Sequence, residues 1–69
     1  MVYAVIKVVN GNYSVAAEGK TADDAKVFYF GLCQSLWNEP SVLDGCVMIV
    51  DTNLDTLFGY KEHIRHEQV

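Results

Sequence analysis

Tyr3-Ala4-Val5-Ile6-Lys7-Val8-Val9-Asn10-Gly11-Asn12-Tyr13-Ser14-Val15-Ala16-Ala17 decides the fold of this chain. Two alternating apolar stretches flank Asn10-Gly11, and a two-residue loop of this composition favours a type I′ turn with positive φ at both central residues. Asn tolerates that conformation, and Gly adopts it without steric cost. The turn sets the register. Val9 faces Asn12, and the pairs run outward through Val8–Tyr13, Lys7–Ser14, Ile6–Val15, Val5–Ala16 and Ala4–Ala17 to Tyr3–Glu18. One face of this ribbon carries Ala4, Ile6, Val8, Tyr13, Val15 and Ala17 and is the expected core face. The other carries Tyr3, Val5, Lys7, Asn12, Ser14 and Glu18 and is mixed. A slip of one residue would scramble the two faces, so pattern and turn support the same register.

Beyond the hairpin, Gly19-Lys20 breaks the strand and Thr21 reads as a helix N-cap, its hydroxyl placed to accept from the backbone N–H of Asp24. Asp23 and Asp24 put negative charge at the positive end of the helix dipole. The helix is expected from Ala22 to Asn38, ended by Pro40, which biases Glu39 away from helical geometry. At about 100° per residue, Ala22, Ala25, Phe28, Tyr29, Leu32 and Leu36 share one face, while Phe30, Cys33 and Trp37 share an adjoining flank that Val27 extends. A helix apolar this far round must bury more than one side.

Val42 to Val50 reads as a third strand, apolar on both faces from Cys46 onward, as expected of a central strand. Asp51-Thr52-Asn53-Leu54-Asp55 reads as a turn, and Thr56 to about His66 as a fourth strand. In that strand Thr56, Phe58, Tyr60, Glu62 and Ile64 form the expected inward set, and Gly59 marks a candidate bulge. Glu67-Gln68-Val69 is expected to fray. The elements spell ββαββ. With the most apolar strands, one and three, in the middle, the order is 2-1-3-4, every neighbouring pair is antiparallel, and the helix lies across one face. The expectation is one α+β domain over residues 1–69, a two-layer sandwich. The uncovered sheet face would then carry Tyr3, Val5, Val9 and Ala16, with either Val47 and Ile49 or Cys46 and Met48.

Composition narrows the function classes. The chain has 69 residues, half of them apolar or aromatic, which is much apolar surface for so small a body to hide. The net charge is −4, with nine acidic and five basic side chains and no basic run, so neither phosphate backbones nor anionic lipid is an expected partner. The N-terminal residues lack the basic flank of a signal peptide, and no apolar run approaches the roughly 20 residues that span a bilayer. A cytoplasmic protein is expected. Cys33 and Cys46 are the only cysteines, are not spaced as a CxxC motif, and read as small buried apolar residues without electropositive neighbours in sequence.

Two acidic patterns invite a metal. Asp51, Asn53, Asp55 and Glu62 fall at positions 1, 3, 5 and 12 of a calcium-binding loop, but Thr56 stands where that loop needs Gly, and the flanks read as strands. A hairpin turn accounts for these acids. Glu62, His63, His66 and Glu67 form the second pattern, yet residues three apart on a strand face opposite ways, so the two imidazoles should diverge. No nucleophile motif, phosphate loop or dinucleotide fingerprint is present, and so short a chain has little room for a deep pocket. No enzyme activity and no cofactor are expected.

The stretches Tyr3-Ala4-Val5-Ile6, Gly11-Asn12-Tyr13-Ser14-Val15 and Gly19-Lys20-Thr21-Ala22-Asp23-Asp24-Ala25 together resemble the N-terminal domain of HicB-type antitoxins. In that domain a Tyr-containing strand and a hairpin precede a Thr-capped helix. The likeness covers just over half the chain and lacks the family's Pro-Gly-Cys stretch and extra strand before the helix. It implies a regulatory protein that masks a protein partner, which stands as the alternative expectation. The leading expectation is a non-enzymatic, self-associating interaction module, most simply a homodimer. Its interface would draw on Tyr3, Val5, Val9 and Ala16 of the open sheet face, or on Phe30 and Trp37 of the helix flank. Replacing Thr21 by Ala should lower stability by about 0.5–2 kcal/mol through loss of the N-cap bond, measured as a shift of the denaturant midpoint.

Overall fold

The computed structural model describes residues 2–66; the expected fraying of Glu67-Gln68-Val69 lies outside them. Strand β1 (Tyr3–Val9) and strand β2 (Asn12–Gly19) form the hairpin, helix α1 (Ala22–Trp37) follows, and strands β3 (Asp44–Val50) and β4 (Thr56–Arg65) complete the chain. The sheet has the order β2-β1-β3-β4 with all pairs antiparallel. This is the expected two-layer α+β sandwich.

The turn adopts positive φ at both residues, 50° at Asn10 and 85° at Gly11. Asn10 also reaches across the molecule. Its carboxamide oxygen accepts from the backbone N–H of Leu43 (2.9 Å) and of Asp44 (3.1 Å), its Nδ2 donates to the Ser41 carbonyl (3.0 Å), and its own N–H donates to the Asp44 carbonyl (2.7 Å). One side chain therefore fixes both the hairpin tip and the entry into β3.

The register runs as expected from Val9–Asn12 to Ile6–Val15 and then shifts by one, pairing Val5 with Ala17, Ala4 with Glu18 and Tyr3 with Gly19. A bulge at Ala16 is the physical cause. In the unshifted register Glu18 would share a face with Val5 and lie beneath the helix. The extra residue turns Glu18 away and puts Ala17 and Gly19 in its place. Gly19 is suited to that position, because a Cβ there would stand 2.8 Å from the backbone nitrogen of Ala25.

The helix covers the face opposite to the expected one. Val5, Val47, Ile49 and Ile64 are fully buried and cluster with Ala25, Tyr29, Cys33 and Leu36 of α1, with Tyr3, Val9 and Ala17 packed against them. Tyr3, Val5 and Val9 are thus core-side residues and not an open surface. The reason lies in β4. Lys61, His63 and Arg65 alternate with Glu62 and Ile64, and they pair with Met48, Cys46 and Asp44 of β3. Packing the helix on that side would bury three basic or titratable groups, so Ile64 goes inward and carries Val47, Ile49 and Val5 with it.

Smaller departures have equally local causes. Cys33 takes a core place, while Phe28 stays half exposed beside the cleft between α1 and β2. The third strand begins at Asp44, with Val42 still buried from the preceding loop, where its N–H donates to the Glu39 carbonyl. In β4 a break in register around Gly59 (φ 84°) sends Leu57 inward and leaves Phe58 97% exposed, while Tyr60, Glu62 and Ile64 keep the inward side. The helix begins as expected, with the Asp24 N–H donating to Thr21 Oγ1 at 3.2 Å, and is capped at its end by Asn38. Asn10→Gly preserves the turn backbone but removes three side-chain hydrogen bonds. It should cost about 1–3 kcal/mol in a denaturant melt, although Gly suits positive φ better than Asn.

Candidate interaction surfaces

The sheet face away from α1 carries Ala4, Ile6 and Val8 of β1, Cys46, Met48 and Val50 of β3, and Tyr13 and Val15 of β2. Among the described residues no helix or strand crosses it. At its centre Ile6, Cys46 and Val50 nevertheless expose little surface, and a cleft of ≈ 300 Å³ there is lined by Val8, Cys46, Met48, Lys61 and His63. The solvent-facing apolar surface lies at the margin, where Tyr13 is 65% and Val15 56% exposed. On the opposite side of the same edge strand, Val27 and Phe28 of α1 are 72% and 51% exposed. They border a cleft of ≈ 300 Å³ between α1 and β2, floored by Ala16, Ala17 and Leu32. An apolar strip therefore wraps the free edge of β2. The expected site residue Ala16 belongs to it; Tyr3, Val5 and Val9 do not.

The other flank of the helix is partly tied down. Phe30 meets Tyr29 edge-to-face at 5.3 Å and Tyr60 at 6.1 Å, and Lys26 Nζ stands 4.9 Å from the centre of the Tyr60 ring. Trp37 Nε1 donates to Glu62 Oε2 at 3.1 Å, and the Trp37 ring meets His66 edge-on. Both aromatics remain substantially exposed, yet each folds back onto β4. Tyr13, Val15 and Phe28 were expected in the core. The signal that would have placed them outside is the alternation of basic and apolar residues in β4, which selects the covered face.

Cys33 lies beside Glu62 and Tyr29 under the helix, and Cys46 stands opposite His63 on β4. Burial pushes the Cys33 thiol up to about 11, with Glu62 adding to the effect, and burial likewise pushes up Cys46. His63 is the cross-strand partner of Cys46, but the thiol is held protonated and unsuited to nucleophilic attack. The two imidazoles diverge: His63 stands on the open face, and His66 Nε2 donates to the Leu36 carbonyl at 3.1 Å near the helix C-terminus. The Asp51 carboxylate closes its own turn, accepting from the N–H groups of Asn53 (2.8 Å) and Asp55 (3.1 Å), while Glu62 is engaged by Trp37. Among the described residues no three His, Cys, Asp or Glu side chains are grouped to hold a metal, and no helix is long and apolar enough to cross a membrane. No family model, no curated protein and no solved structure matches the chain.

Burial also pushes the Tyr29 phenol from 10.0 up to about 12. A raised pKa means that the fold favours the protonated form. The stability this contributes is complete below the unfolded pKa, near 9.0 for Cys33, and is lost as pH rises through about 11. The melting temperature should therefore fall progressively above pH 9, and Cys33→Ala should start from a lower value but decline less steeply. Thermal melts across the alkaline range check both.

Proposed function

We propose that the protein is a non-enzymatic interaction module of the cytoplasm that acts as a homodimer, its role carried by surface and not by a reaction centre. The apolar strip around β2 supports this most directly. Tyr13, Val15, Val27 and Phe28 lie exposed along one edge of a body that, among the described residues, has one helix to cover its sheet. Large apolar side chains exposed on both sides of one edge strand of a small protein mark a contact site. Two buried free thiols, both held protonated, support a reducing compartment and argue against cysteine chemistry. Closed twofold dimers are the commonest homo-oligomers, and a twofold axis lets one strip cover another.

Sedimentation velocity from low to high micromolar concentration should show a species of twice the chain mass. Because the strip is apolar, the dimer should persist when salt is raised to about 1 M, where the Debye length is about 3 Å. A single monomeric species at every concentration would overturn this reading.

A further inference from the structure

We infer, resting on that self-association, that a second copy of this chain adds its β2 edge antiparallel to β2 across a twofold axis at Ser14, making one continuous sheet. The hairpin geometry specifies this axis. Val9 and Asn12 close the two-residue turn as a hydrogen-bonded pair, and such pairs alternate along an antiparallel ladder. Lys7 and Ser14 form the next one. The N–H and C=O groups of Tyr13 and Val15 therefore point away from β1, and among the described residues no turn, loop or cap group bonds to them. A two-fold axis at Ser14 sets Tyr13 opposite Val15 of the second copy, and Val15 opposite its Tyr13. Each such pair can exchange two backbone hydrogen bonds.

The side chains agree with that register. On the open face it creates two aromatic–β-branched cross-strand pairs, a favourable class, from the two most exposed apolar residues of the sheet's β2 margin. On the helix side Ser14 meets its own copy. The only charge on β2, Glu18, lies beyond the bulge and outside the paired segment, so no like charges are opposed. The bulge at Ala16 ends the pairing after Val15 and leaves the turn of the second copy over Ala17 at the mouth of the cleft. The other sheet edge is closed to the same arrangement. A two-fold axis at His63 of β4 would set Lys61 against Arg65, and charged edge residues of this kind discourage pairing.

Ser14→Glu and Ser14→Lys test the axis directly, since each puts two like charges against one another at the centre of the interface. Each variant alone should dimerise about tenfold more weakly than the parent or worse, and an equimolar mixture of the two should recover dimer. The readout is sedimentation, with far-UV circular dichroism showing that both variants fold. Amide hydrogen exchange on the unmodified protein gives a second measure that needs no substitution. The Tyr13 and Val15 amides should gain protection as concentration rises, while other exposed amides do not. If both variants stay dimeric alone, and those two amides exchange freely in the dimer, the β2 pairing is wrong while self-association stands. If the unmodified protein never dimerises, both readings fail together.

Discussion

Helix α1, of 16 residues, lies on one side of the four-stranded sheet, so it covers one face of it and leaves its own apolar flank of Val27, Phe28 and Phe30 exposed. The arrangement of the rest of the molecule follows from which face that is. Val5, Val47, Ile49 and Ile64 form a continuous row across three strands, and the stripe of Ala25, Tyr29, Cys33 and Leu36 closes over it. The row exists because β4 has only one face free of basic side chains. Once Ile64 points inward, hydrogen-bonded pairing transmits that choice through β3 to β1. The bulge at Ala16 then corrects β2, keeping Glu18 out of the layer beneath the helix.

Asn10 ties the two halves of the chain together. The hairpin is local in sequence, whereas β3 must return from the far end of the helix and enter the sheet beside β1. The carboxamide meets the backbone of Ser41, Leu43 and Asp44, satisfying groups that a loop would otherwise leave to water. The same residue thus serves a backbone need, positive φ at the turn, and a long-range one.

The two sheet edges show opposite chemistry. On β4, Lys61, His63 and Arg65 face outward from the open side, the register breaks at Gly59, and Phe30 and Trp37 fold back against the strand. On β2 there is one charge, and apolar residues flank the strand on both sides. An edge with free backbone groups and apolar flanks is prone to pairing unless something occupies it. The two edges therefore present different surfaces, while at the centre of the open face Ile6, Cys46 and Val50 expose little of themselves.

The sequence alone determined the local features. Asn10-Gly11 specifies the turn, Thr21 the helix start, and the ratio of apolar to polar residues in each strand the order 2-1-3-4. These depend on φ preferences, capping and burial, which act over a few residues. It placed Ala16 on an open sheet face with Tyr3, Val5 and Val9, and Phe30 and Trp37 on an exposed helix flank; in the fold Ala16, Phe30 and Trp37 are exposed. Only the tertiary structure decided which face of the sheet the helix covers, and so sent Val5 and Val9 inward and left Tyr13, Val15 and Phe28 outside. Period-two alternation is symmetric: a hairpin with two apolar faces carries no mark of which will be buried. The choice is made by side chains on β4, more than forty residues away from Val5, through cross-strand pairing that does not exist until the sheet has formed.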